Sequence, residues 1–340
     1  MWGVNYSLHL MIAVYAALAI GIVVLLEIYR RKRARSRPNQ VKTLVTVPDT
    51  AKTKIVNVHY ELISPPYKRG GISTIWRAVD RRTGEICIIK TPRRGTQMDN
   101  VYLNKLILEA RYLKRFKHPG IVRYIDEFYY KGEFHLVIEY LEGETLMALS
   151  LRSPLKEHQV IVWACQLLDA LAYIHAAGVV HRDINPKNIM LCGNGTLKLI
   201  DFNTATSLND IAKIKVSHDP FTQITNKGFD IPELLSGGKV DQRCDLCGLA
   251  QTCIYLLTLE HPNQVCLRLF QSSWPRSYSE AASVADYLVA AGISKRTARC
   301  LAQAILFSPD NRFANAQAMK AALLSASGYL EKMVEAVSTR

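Results

Sequence analysis

Between residues 181 and 201 the chain brings polar side chains back to one place twice, and no other stretch constrains the fold as much. His181-Arg182-Asp183-Ile184-Asn185-Pro186-Lys187-Asn188 is a polar loop stiffened by Pro186, with a proton acceptor at Asp183 and an amide oxygen at Asn188. A short apolar run (189–191), a Gly193-Asn194-Gly195 turn and a second apolar run (197–200) follow, and then Asp201-Phe202-Asn203. Two strands joined by so tight a turn run antiparallel, which returns Asp201 to the neighbourhood of Asn188. The pattern predicts a hairpin that presents two oxygen ligands for a hard divalent cation beside a general base.

The 340 residues, 49% of them apolar, are enough for a two-lobed domain with a full core plus an extension. The net charge of +14 is concentrated, because residues 30–54 carry nine Lys and Arg against Asp49 alone, a balance of +8. The remainder is modestly basic, so charge gives a nucleic-acid partner no support and none is expected. Eight cysteines lie scattered, most in apolar runs, as free thiols do in a reducing compartment. Cys244-x-x-Cys247 has neither a second pair at ligand spacing nor a nearby histidine to complete a metal site.

Residues 8–26 are interrupted only by His9, Tyr15 and small side chains. As a helix rising ~1.5 Å per residue they reach roughly the 30 Å of a bilayer core, so a transmembrane helix is expected over 8–28. A cleaved signal is the weaker reading: the run continues past Ala17-Leu18-Ala19 and no Lys or Arg precedes it. The Arg30 to Arg37 cluster then puts residues 1–7 outside as a short extracytoplasmic N-terminus and the rest in the cytoplasm at a cell membrane. Residues 29–54, with Pro38 and Pro48, read as a basic juxtamembrane linker suited to anionic lipid head groups.

A folded domain is expected over 55–330, divided near residue 140, with a tail at 331–340. Residues 59–65, 74–80 and 85–91 read as strands, the last two joined by Arg81-Arg82-Thr83-Gly84, and 121–128 and 134–139 as two more. The Gly70-Gly71 pair lies between the first two strands, where backbone amides can approach an anion because no side chain intrudes. Helices are expected over 100–116, over 158–177 with Leu167, Leu168, Leu171 and Ile174 on one face, over 246–259 and over 329–337.

Taken together, His181-Arg182-Asp183 with Asn188, Asp201-Phe202, Cys87-Ile88-Ile89-Lys90, Glu109 nine residues before His118-Pro119, Ile231-Pro232-Glu233, Asp245 and Arg312 resemble the eukaryotic-type (Hanks-type) serine/threonine protein kinase superfamily, as a membrane-anchored prokaryotic member. The resemblance covers about residues 57–325. It implies an α+β, two-lobed protein kinase-like fold: a small five-stranded antiparallel sheet lobe with one main helix, and a large, mainly helical lobe, preceded here by one transmembrane helix.

It also implies ATP and Mg2+, with Mn2+ as an alternative, and protein substrates; with only about seven residues expected outside the membrane, a signal is expected to arrive through partners, lipids or a homodimer. Asp183 would be the base, Asn188 and Asp201 the metal ligands, and Lys90 with Glu109 the phosphate clamp. Gly70, Gly71, Ser73 and Ile75 would form the glycine-rich loop, with Lys68 and Ser73 at two of its glycine positions. Glu139 and Leu141 would bind the adenine through their main chain, and Glu233 would pair with Arg312. Arg182 would receive a phosphorylated activation segment, with Thr204, Thr206, Ser207, Ser217, Thr222 and Thr225 as acceptors.

Three further positions depart from the pattern. Ile88 replaces a small alanine against the adenine. Asn185 stands where a lysine would reach the γ-phosphate, and Asn203 replaces a glycine, a change expected to be mild because asparagine tolerates left-handed backbone. The last two keep alive a pseudokinase that binds nucleotide or partners without turnover. A small-molecule kinase of related fold is the third reading.

Overall fold

The structure, a computed structural model, describes residues 53–211, 229–236 and 240–326. The expected membrane span, the linker, the middle of the segment after Asp201 and the expected helix at 329–337 lie outside the described residues.

The small lobe is built on strands β1 (Thr53–Val56), β2 (Tyr60–Arg69), β3 (Ser73–Asp80), β4 (Ile86–Pro92), β5 (Tyr124–Tyr130) and β6 (Glu133–Glu139), with helix α1 (Asp99–Arg115) after β4. They form one antiparallel sheet in the order β1-β2-β3-β4-β6-β5. The sheet has six strands, not the expected five. The extra edge strand pairs Thr53 with Ile63 and Val56 with Tyr60, so residues that read as the end of a linker belong to the sheet.

β2 also runs four residues past the expected end at Pro65. Register with β3 is lost between Ile63 and Lys68 and then resumes. Pro65 and Pro66 have no N–H to donate to a ladder, so the pairing bulges around them rather than stopping. Along β4, Cys87 and Ile89 enter a small-lobe core with Tyr60, Leu62, Ala78 and Val137. The period of two sends Ile88 and Lys90 to the other face. α1 buries Leu106, Ala110 and Leu113 at helical spacing, and Glu109 shares that apolar stripe.

The large lobe begins with β7 (Gly143–Thr145), α2 (Leu146–Ser150) and α3 (Glu157–Ala176). β8 (Val179–Val180), β9 (Ile189–Cys192), β10 (Leu197–Leu199) and β11 (Thr206–Ser207) follow. The helices after them are α4 (Leu208–Ile211), α5 (Pro232–Ser236), α6 (Arg243–Thr258), α7 (Pro262–Phe270), α8 (Tyr278–Ala290), α9 (Lys295–Ala304) and α10 (Ala316–Ala326). β9 and β10 pair antiparallel as the predicted hairpin, with Ile189 opposite Leu199.

α3 carries the expected stripe and packs against α6 and α10. It is the one helix among the described residues long and apolar enough to cross a membrane, and most of its surface is buried inside the lobe. α6 is buried all round from 244 to 257, so it can serve as a rigid post for the loops above it. Gly248 is where a loop touches that post: a Cβ there would lie 2.8 Å from the carbonyl oxygen of Ile184.

Candidate active site

Lys90 leaves β4 on the face opposite the small-lobe core and meets two carboxylates. Its Nζ lies 2.7 Å from Glu109 Oε1 and 3.4 Å from Asp201 Oδ1. Burial opposes the charge on Lys90, but Asp201 and Glu109 outweigh it and hold the ammonium well above the ordinary lysine range. Glu109 Oε1 also accepts the backbone N–H of Phe202 (3.2 Å), which ties α1 of the small lobe to the chain just after Asp201. Phe202 is fully buried, 5.6 Å from the Phe116 ring and 4.6 Å from His181.

The polar loop is suspended from α6. Asp245 Oδ2 accepts the backbone N–H of His181 (2.9 Å) and His175 Nε2 (2.8 Å), and Oδ1 accepts the N–H of Arg182 (2.8 Å). Burial works against this carboxylate, yet His175 and the backbone donors hold it below its ordinary range. Burial keeps the His181 imidazole below its usual range, and therefore neutral, against Phe202. Arg182 takes a left-handed conformation (φ +65) and donates from Nε to the Thr204 carbonyl (2.7 Å).

Within this loop the side chains of Asn185 and Asn188 clasp Asp183. Asn185 Nδ2 donates to Asp183 Oδ1 and Asn188 Nδ2 to Asp183 Oδ2, each at 2.7 Å. Asn188 Oδ1 has no hydrogen-bond partner among the described residues, and the same holds for Asp201 Oδ2. Two hard oxygens without partners among the described residues, one just before β9 and one just after β10 of the antiparallel hairpin, suit a divalent cation that keeps most of its ligands from phosphate and water. No group of three or more His, Cys, Asp or Glu side chains able to hold a metal occurs among the described residues.

The glycine pair forms a tight turn between β2 and β3. Gly70 N–H donates to the Ser73 carbonyl (2.8 Å), and a Cβ on Gly70 would crowd that oxygen at 3.2 Å. Gly71 is at the exposed tip, and Ser73 is buried in β3 opposite Pro92. Ile75 pairs with Lys90, so turn and lysine are one register apart from a shared frame. Ile88, Leu141, Leu191 and Ile200 are partly buried apolar side chains packed on the core.

A model of the protein kinase domain matches residues 69–322. The chain belongs to the protein kinase family. Serine/threonine-protein kinase PknL of Mycobacterium tuberculosis is 27% identical over 278 residues, 81% of this chain and 67% of that protein. A Streptomyces coelicolor protein named as a serine/threonine-protein kinase is 34% identical over 209 residues, 60% of this chain and 30% of its own length. For one from Dictyostelium discoideum the figures are 26% over 217 residues, 64% and 42%. The chain thus spans less than half of those last two relatives. The crystal structure of the Mycobacterium tuberculosis PknI kinase domain superposes with a TM-score of 0.59 at 19% identity, covering 80% of this chain and 98% of that one, which establishes the shared fold.

The kinase site holds features that motif reading missed. Asn185 and Asn203 read as losses, yet both donate to a carboxylate of the site: Asn185 to Asp183, and Asn203 Nδ2 to Asp201 Oδ1. The backbone argument for Asn203 is also corrected, because the left-handed residue is Asp201 itself (φ +69) and Asn203 is not among the positive-φ residues.

Glu139 is fixed through its side chain, and its backbone N–H donates to the Arg123 carbonyl (3.0 Å). Its Oε1 accepts from Lys198 Nζ (2.5 Å) and from the Arg123 N–H (2.7 Å), fastening the segment between the lobes to β10. The signal in each case was a donor within reach of a motif carboxylate, which spacing alone does not reveal. Glu233 and Arg312 pair as expected, with both contacts at 2.8 Å. Of the six phosphate acceptors, Thr206 is buried in β11, Thr204 Oγ1 donates to the His181 carbonyl, and Ser207 is half-buried. Ser217, Thr222 and Thr225 lie outside the described residues.

Proposed function

We propose that this chain transfers the γ-phosphoryl group of ATP to serine or threonine hydroxyls of protein substrates, itself among them. The observation that carries the reading is the convergence of Lys90, Glu109 and Asp201 next to an Asp183 clasped by two amides. Lys90, kept cationic by its two carboxylates, binds the α- and β-phosphates, and Glu109 fixes where it points. Asp183 accepts the proton of the attacking hydroxyl, its orientation set by Asn185 and Asn188. A divalent cation, Mg2+ or Mn2+, would be held by Asn188 and Asp201 and would neutralise charge building on the phosphates. Ile88, Leu141, Leu191 and Ile200 offer adenine an apolar slot, with main-chain groups of Glu139 and Leu141 at its edge, and the Gly70-Gly71 turn covers the phosphates.

Composition supports a single-pass anchor over residues 8–28, with residues 1–7 outside, the basic linker on anionic lipid and the kinase domain in the cytoplasm. The test is transfer of label from ATP by the full chain, with Mg2+ or Mn2+, to a basic protein substrate. Label should reach serine or threonine, and Asp183→Asn should abolish it while nucleotide still binds. Transfer that survives Asp183→Asn would remove Asp183 from its role.

A further inference from the structure

Asp201 has two oxygens, and the protein itself occupies one of them. Oδ1 accepts from Asn203 Nδ2 and lies 3.4 Å from Lys90 Nζ, whereas Oδ2 has no partner among the described residues. The amide must present nitrogen to Asp201, since an amide oxygen facing a carboxylate oxygen would repel it. Backbone geometry does not demand asparagine at 203, so this residue acts through its side chain.

The rest of the oxygen inventory is equally limited. Asn188 spends its nitrogen on the Asp183 carbonyl (3.0 Å) and carboxylate and has Oδ1 to offer. Asn185, buried, spends its nitrogen on Asp183 and its Oδ1 on the N–H of Lys187 (2.9 Å).

A carboxylate that serves two cations at once does so most readily with one oxygen for each, and in protein kinases these two positions hold two Mg2+ ions. Here a second cation at Asp201 Oδ1 would have to displace an amide N–H and stand against an ammonium. Hydrogen bonds to a charged group are the stronger class, and losing one weakens binding by about ten- to a hundredfold. We infer that the nucleotide site of this chain takes one divalent cation per nucleotide, held by Asn188 Oδ1 and Asp201 Oδ2, with Asn203 as the positioning residue that closes Oδ1 to a second. The inference rests on the kinase reading of the site.

The experiment counts Mn2+ bound to the full chain in detergent, by the loss of the free-ion paramagnetic resonance signal, with a non-hydrolysable ATP analogue at saturation. Wild type should hold one Mn2+ per bound nucleotide, and Asn203→Ala and Asn203→Gly should each hold two. Two replacements are used so that a folding defect in one leaves the other to decide, and thermal unfolding identifies such a defect. Two Mn2+ ions on the wild type, or the same count in all three proteins, would overturn the inference. A variant that keeps one Mn2+ but binds it more weakly would show that Asn203 is itself a ligand, which also overturns it. Nucleotide occupancy in the same samples separates the levels: a chain that binds no nucleotide at any Mn2+ concentration defeats the kinase reading, whereas two cations defeat only the count.

Discussion

Two buried ion pairs hold this protein together in opposite manners. Glu233–Arg312, in the large lobe, is bidentate with both contacts at 2.8 Å. The same guanidinium also donates to the carbonyls of Leu306 (2.6 Å), Phe307 (3.0 Å) and Arg243 (3.3 Å). Lys90–Glu109 is as deeply buried but makes a single 2.7 Å contact, leaves Glu109 Oε2 buried without a partner among the described residues and shares its ammonium with Asp201. Buried polar atoms are nearly always satisfied, so an exception asks for a reason. The saturated pair is a fastening. The unsaturated pair divides its ammonium between Glu109 and Asp201, so its charge is not committed to one partner.

Removing the cation from each pair tests that difference most strongly. Arg312→Leu leaves Glu233 buried and uncompensated and should cost about 3–5 kcal/mol of stability, read from denaturant unfolding. Lys90→Met should cost less, because burial already pushes the Glu109 carboxyl up and lets it take a proton. Its loss falls on chemistry: transfer should drop by about two to three orders of magnitude. Equal destabilisation by both variants would erase the distinction. Next in size is Gly248→Ala, whose new Cβ meets the Ile184 carbonyl at 2.8 Å and Ile184 Cβ at 3.2 Å. Overpacking of this kind costs about 1–3 kcal/mol, partly offset by the better helix propensity of alanine, about 1 kcal/mol. Thermal unfolding and transfer rate should both fall, since the loop that carries Asp183 rests on that contact.

Much of this site was legible because its parts recur at fixed spacing. The hairpin placing Asn188 near Asp201 follows from two apolar runs around a Gly-Asn-Gly turn, and Glu109 could be located from its place nine residues before His118-Pro119. What stayed hidden depends on rotamers and on pairing across the chain. β1 escaped because Ile55-Val56, a two-residue apolar run after the polar Thr53-Lys54 at the end of the expected linker, is too short to read as a strand until β2 is there to pair with it. Asn185 and Asn203 looked like deletions of a lysine and a glycine, because a hydrogen bond to a carboxylate two residues away leaves no periodic trace.

The pH dependence sharpens the comparison further, with a smaller effect. Lys90 has a folded pKa raised above the unfolded 10.5, so its contribution is fully present below 10.5 and is lost only as pH rises through the folded value. Nucleotide affinity should therefore stay level up to pH 10, and should decline earlier in Glu109→Gln. On the acid side, burial depresses His181, His135, His118 and His261 below 6.5. For a base depressed in the fold, the unfolded chain takes the proton first, so stability falls as pH drops below 6.5. Each unit of depression is worth ~1.4 kcal/mol at most. Melting temperature recorded from pH 8 to 5 should slope downward, and His135→Asn should make the slope shallower.

The smallest expected effect belongs to Asn185→Lys, where two opposing contributions meet. The lysine adds a positive charge beside the transferring phosphoryl group, which by itself should raise the rate. It also removes the amide that donates to Asp183 Oδ1 at 2.7 Å, from a side chain that is only 1% exposed. A long ammonium must leave that enclosed position to reach the cleft, which its flexible stem allows, and Asp183 is then held by Asn188 alone. Asn185→Ala separates the two contributions, because it deletes the brace and adds no charge. Losing one hydrogen bond to a carboxylate should slow transfer by about tenfold or somewhat more. Asn185→Lys should sit well above Asn185→Ala and close to wild type. A lysine variant many times faster than wild type would mean that the brace on Asp183 contributes little and that the missing charge was the whole difference. An alanine variant as fast as wild type would remove Asn185 from the set of positioning residues.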